Sequence, residues 1–211
     1  MTKNAKIAVG VVAAVLIIDQ IIKIWIKTTM HLGEEFNVFG NWFVIHFVEN
    51  YGMAFGMEMG GSIGKIFLSI FRIVAVGAII YYLIKLCKRE NTSISYITCI
   101  SLVLAGAVGN IIDSVFYGVI FDSSIGQVAS IFPEDGGYST WLHGRVVDMF
   151  YFPLIESRFP DWMPIWGGET FIFFRPVFNF ADAAICVGLA WLLLFHRETL
   201  GNDFAEEQSA K

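Results

Sequence analysis

Residues 5–26 read AKIAVGVVAAVLIIDQIIKIWI. A helix needs about 20 mostly apolar residues to cross a bilayer, and this stretch supplies them without a proline. Three further windows have the same length and character: about 65–86, 94–115 and 177–195. All five prolines (Pro133, Pro153, Pro160, Pro164 and Pro176) fall between the third and fourth windows. Proline breaks helices, so that stretch reads as loop or mixed structure. A cleaved leader is the other reading of residues 5–26. No small-x-small site follows; Asp19, Gln20 and Lys23 come instead, so an uncleaved span is expected.

Composition agrees. Of 211 residues, 56% are hydrophobic and 16% charged, against about 45–50% and about 25% in soluble domains. Such a chain is not disordered. Its 14 Lys+Arg against 19 Asp+Glu leave a net charge of −5 and no basic footprint for nucleic acid. Cys87, Cys99 and Cys186 form no CxxC pair and the four histidines do not cluster. No metal or other cofactor is therefore expected, and the cysteines read as small buried residues.

Lysine and arginine flanks set the orientation of membrane proteins. Lys3 and Lys6 precede the first window, Lys85, Lys88 and Arg89 separate the second and third, and Arg197 follows the fourth. With four spans these share one side, so both termini are expected to be cytoplasmic. The loops at about 27–64 and 116–176 then face outward. Within them Trp42–Val48 alternates and is rich in aromatic and β-branched residues, which predicts a short strand. Aromatic residues crowd the second loop, as at a bilayer interface. Asp122–Thr140 reads as a mobile insertion and Gly201–Lys211 as a frayed polar tail. The expected architecture is an all-α membrane protein over residues 1–211: four transmembrane helices, a small β-rich extracytoplasmic cradle and long outer loops.

Ionisable groups at membrane depth are costly and are candidates for function. Asp19 and Lys23, four apart, share a helix face and can neutralise each other. Arg72 can snorkel outward. Asp113 can hold a helix end, Asn179 can cap a helix with Asp182 in its first turn, and Asp148 can pair with Arg145. The last three aspartates named, Asp113, Asp148 and Asp182, converge on the outer boundary. Two aspartates in a semi-apolar site share one proton. One then activates water while the other polarises a carbonyl, which is peptide hydrolysis without a covalent intermediate.

Five blocks give this chemistry a family: Asp19-Gln20-x-x-Lys23, Asn50-x-Gly52-x-Ala54-Phe55-Gly56, Gly109-Asn110-x-x-Asp113, Gly144-Arg145-Val146-Val147-Asp148 and Phe178-Asn179-x-Ala181-Asp182. In this order they resemble the lipoprotein signal peptidases (signal peptidase II), four-span bacterial aspartic peptidases. The resemblance implies that Asp148 and Asp182 are catalytic. Asn50, Asn110, Asp113 and Asn179 would position substrate and the aspartates, with Gly52, Ala54, Phe55, Gly56, Gly109, Arg145 and Ala181 completing those surfaces. Asp19 and Lys23 would be structural or near the site. It further implies diacylglyceryl-prolipoprotein substrates, lipid contacts, a monomer and a bacterial inner-membrane location.

Three departures accompany the match. Ser114 stands where the family usually has Arg, which leaves Arg145 or Arg175 as substitutes. Asp113 to Asp148 is 35 residues and Asp148 to Asp182 is 34, both longer than usual. The surplus falls in loops, about 114–143 and 151–176, where length is tolerated. A small proton-coupled transporter using Asp19, Asp113 and Asp182 is the alternative; it lacks the expected paired repeats. A non-catalytic anchor would leave the aspartates without a task. Gly60-Gly61-Ser62-Ile63-Gly64 imitates a serine nucleophile elbow but reads as a flexible turn.

Overall fold

The computed structural model describes residues 1–50 and 61–209. Gly52, Ala54, Phe55 and Gly56 of the second block lie outside the described residues. The chain divides into two compact units: Met1–Ile21, Met59–Ile112 and Phe180–Lys211 form one, Ile22–Glu58 and Asp113–Asn179 the other.

The first unit is helical. It contains most of α1 (Lys3–Thr29), then α2 (Gly61–Lys88), α3 (Ile94–Ile112), α5 (Phe180–Phe195) and α6 (Arg197–Ser209). Leu83, Leu86, Tyr96, Ile97, Ile100, Leu104 and Leu192 form its core with Ala8. Its outside is apolar too: Phe67, Phe71, Val74, Tyr81, Leu193, Leu194 and Phe195 are exposed, as expected of helices solvated by lipid. Such helices associate through small residues. A Cβ on Gly106 would strike the Ala181 carbonyl, and one on Gly188 would sit 2.9 Å from the Cys99 oxygen, so α3 and α5 meet backbone to backbone.

Among the described residues, three helices are long and apolar enough to cross a membrane: Lys3–Thr29, Ile66–Lys88 and Ile94–Ile120. A fourth exists only if α5 and the start of α6, bent by 86° at their junction, count as one span. The window at 177–195 was too long at its front, because Val177–Phe178 is a strand. The remaining 16-residue α5 reaches only about 24 Å. The tail is not frayed through Ser209: α6 is anchored by Asp203, which accepts from Tyr82 Oη at 2.6 Å and pairs with Arg89. Cys87 and Cys99 are buried as expected, whereas Cys186 is exposed. Gly61–Gly64 open α2 instead of forming a turn.

The second unit is built on a four-stranded antiparallel sheet. β1 (Glu35–Phe39), β2 (Phe43–Asn50), β3 (Val146–Tyr151) and β6 (Val177–Phe178) lie in the order β1-β2-β3-β6. The strand expected within 42–48 is β2. A separate hairpin pairs β4 (Ile155–Arg158) with β5 (Thr170–Phe173), so a small β region accompanies the helices, as expected. Aromatic rings knit one end of the sheet, with Phe43 stacked on Phe152 at 4.8 Å.

Beyond α3 the chain continues as a π-helical turn (Asp113–Tyr117) and one last turn, α4 (Gly118–Ile120). The supposed loose insertion that follows is tied down. Asp122 accepts from the Ser130 N–H and hydroxyl, each at 2.7 Å. Backbone bonds join Phe132 to Ile120 (2.7 Å), Tyr138 to Phe121 (2.9 Å) and Ser139 to Gly118 (2.8 Å). Gly137 serves close packing: a Cβ there would collide with the backbone of Gly118 and Val119.

Candidate active site

Asp19, Lys23 and Lys27 recur every fourth residue along α1 and all are fully buried. On the opposite face Ile17, Ile21 and Trp25 are 58%, 63% and 51% exposed. The helix is amphipathic inside out, with its charges turned toward protein.

In the helical unit the first, third and fifth blocks meet. Asp19 Oδ1 accepts the Ala181 N–H at 2.9 Å, which sets a negative charge at the N-terminus of α5, where the helix dipole favours it. Gln20 Nε2 donates to Asp19 Oδ2 at 3.1 Å. A Cβ on Gly109 would lie 2.8 Å from Asp19 Oδ2 and 3.1 Å from the Ala181 methyl, so this corner admits only small residues. Asp182, half-buried in the first turn of α5, accepts from Asn110 Nδ2 at 2.8 Å.

In the sheet unit the ladder pairs Val48 with Asp148, Glu49 with Val147 and Asn50 with Val146. Side chains alternate along a strand, so Asn50 and Asp148 share one face. Asn50 Nδ2 donates to Asp148 Oδ2 at 3.0 Å, and Asn179 Nδ2 donates to Oδ1 at 2.7 Å. Asp148 is 3% exposed. Asp113, fully buried, pairs with Lys23 at 2.8 Å and accepts the Val147 N–H at 3.2 Å. It thereby fixes the strand one residue before Asp148. Gly144 packs so closely on the π-helical turn that a Cβ would run into the Asp113 carbonyl.

The structure gives several of these residues further partners. Lys23 reaches Asp113, and the Asn179 amide goes to Asp148 while Asp19 serves the first turn of α5. Arg145 bonds Glu49 at 3.0 Å. Arg175 is exposed and Ser114 is buried, its carbonyl accepting the Gly144 N–H at 2.9 Å. Lys27, Glu49 and Tyr138 had not been singled out. The eight-residue interval from Asp19 to Lys27 was the available signal, hidden because the expected span stopped at residue 26.

Asp113 is thus paired with Lys23, and Glu49 with Lys27. Asp148 and Asp182 each receive asparagine amides. Amide donors orient a carboxylate, which suits a group that must meet water and substrate in a set geometry.

The chain is also similar to known proteins. Residues 11–197 match the model of the family described as signal peptidase (SPase) II. A protein of Porphyromonas gingivalis named lipoprotein signal peptidase is 57% identical over 93% of this chain and 85% of its own. One of the same name from Amoebophilus asiaticus is 37% identical over 95% and 81%. A solved bacterial membrane enzyme superposes with a TM-score of 0.61 at 25% identity, covering 92% of this chain and 90% of that one. Asparagine-held aspartates on an inside-out helical and sheet framework, together with these matches, show that the chain belongs to the signal peptidase II family.

Proposed function

We infer that the protein is an aspartic endopeptidase that removes signal peptides from diacylglyceryl-modified prolipoproteins, cutting just before the lipid-bearing cysteine. The observation that carries this reading is the amide-held state of Asp148 and Asp182 in a chain of this family.

As the family resemblance implies, Asp148 and Asp182 serve as the catalytic aspartates and share one proton between them. The ionised member takes a proton from water as the water attacks the scissile carbonyl. The protonated member donates to the carbonyl oxygen, and a proton then passes to the leaving amine. Asn50, Asn110 and Asn179 aim the carboxylates. Asp113 with Lys23, and Asp19 with Gly109 and Ala181, hold the strand and helix that bear them. The block Gly52–Gly56 is assigned to substrate.

The protein acts as a single membrane-embedded peptidase domain of the bacterial inner membrane. Both termini are cytoplasmic, α5 with α6 supplies the fourth span, and the sheet forms an outer cradle. Exposed Trp42, Trp162 and Trp166 suit the lipid interface. It works as a monomer without a cofactor.

The test is incubation of the purified protein with a diacylglyceryl-prolipoprotein, with product mass read by spectrometry. A cut immediately before the lipidated cysteine is expected. No cut, where the Porphyromonas gingivalis relative cuts the same substrate, overturns the reading.

A further inference from the structure

The face of the β2–β3 ladder opposite Asp148 carries a buried charge cluster that the reaction as described does not use. The Lys27 ammonium pairs with Glu49, and the two side chains are 0% and 2% exposed. Lys27 also donates to Ser124 Oγ at 2.7 Å, and that hydroxyl donates to Glu49 Oε1 at 2.8 Å. Arg145 Nη1 donates to Glu49 Oε2 at 3.0 Å. The Tyr138 ring lies between the cations, 5.1 Å from Lys27 Nζ and 5.2 Å from the Arg145 guanidinium. Tyr138 Oη accepts the Arg145 backbone N–H at 2.6 Å.

Fold stability alone does not call for such a cluster, because apolar side chains of similar volume serve a buried position as well or better. What ionic groups supply is register. The β2–β3 pairing is irregular between Ile45 and Val48, so the ladder has to recover its register just before Asn50. A slip of one residue would turn Asn50 and Asp148 to the wrong face. Glu49 on β2 and Arg145 at the foot of β3 form a diagonal cross-strand pair astride the Asn50–Val146 step.

We propose that Glu49 is a positioning residue of the peptidase: clamped by Lys27 and Arg145, it fixes the ladder step from which Asn50 aims Asp148. The proposal rests on the reading of Asp148 as catalytic. Lys23–Asp113 and Lys27–Glu49 are then two rungs one helical turn apart on α1, and they hold β3 and β2 respectively.

The experiment measures kcat, KM and Tm of the full-length protein, reconstituted with diacylglyceryl-prolipoprotein. For Glu49→Gln, kcat is expected to fall more than about tenfold, the scale of a small misplacement of a catalytic group, with KM within about twofold. Tm should fall as well, because Lys27 is left buried without its counter-charge. The double variant Lys27→Met with Glu49→Gln removes both buried charges. Its Tm should return toward wild type while kcat stays low, since Arg145 still lacks its carboxylate. Arg145→Lys should keep part of the rate. A double variant whose kcat recovers together with Tm, or a Glu49→Gln protein with wild-type kcat, overturns the proposal. Asp148→Asn is run in parallel: if it still cleaves, the catalytic reading has failed, whatever the Glu49 variants do.

Discussion

The two faces of the β2–β3 ladder differ in kind. On one, Asp148 is held by the amides of Asn50 and Asn179. On the other, one residue along each strand, Glu49 is gripped by a lysine and an arginine. The cations stabilise the charged form of Glu49, whereas the amides aim the Asp148 carboxylate. The same short stretch of backbone therefore carries one acid clamped between cations and one oriented by amides.

The strongest way to break this comparison is to neutralise each acid in turn. Asp148→Asn and Asp182→Asn should each reduce cleavage by about a thousandfold or more, with the proteins still inserted in membranes. A retained rate in either would show that amide-held acids are structural too. Removing an amide donor, by Asn50→Ala or Asn110→Ala, should reduce kcat by about tenfold to a hundredfold with little change in thermal midpoint. Gly144→Ala acts on shape instead. A methyl there meets the backbone of the π-helical turn, and denaturation should show a loss of about 1–3 kcal/mol.

Acid titration sharpens the comparison. Burial alone would raise the Glu49 carboxyl, but Lys27, Ser124 and Arg145 outweigh it and bring the group below its ordinary value of 4.5. A depressed folded value means stabilisation that is present above pH 4.5 and lost as pH falls through the folded value. The wild-type Tm should therefore converge on that of Glu49→Gln as the solution is acidified past that point. The smallest effect belongs to Asp203. Asp203→Asn weakens the anchor of α6 and should cost about 1–2 kcal/mol, read as a lower Tm, with kcat unchanged.

Much of the molecule was legible in its sequence, for identifiable reasons. Apolar runs in 5–26, 65–86 and 94–115 became α1, α2 and α3, because length and hydropathy are local properties. The fourth run was less legible at its start: Val177 and Phe178 pair with β3, and nothing local says that two apolar residues join a sheet. Asp122–Thr140 looked loose because its glycines and serines resemble linker composition. Here they permit close packing on α4 and hydrogen bonds to Asp122. Asp203 sits in a polar tail, and its value depends on Tyr82 and Arg89, more than a hundred residues away in the chain. Of the candidate residues, the aspartates and asparagines were readable as blocks. Glu49 was not, since a glutamate beside Asn50 at the end of an apolar strand has no signature of its own.

The charged stripe on α1 also bears on how the protein is made. This helix is synthesised before its partners: Glu49 for Lys27, Asp113 for Lys23, and the start of α5 for Asp19. Each lone charge at the centre of a newly inserting helix costs about 2.5–3.5 kcal/mol. Asp19 and Lys23, one turn apart, can shield each other in the meantime, until Asp113 and the start of α5 arrive. Lys27 waits only for the first hairpin. Insertion and maturation are therefore separate events for this helix, and the order of synthesis is written along its buried face.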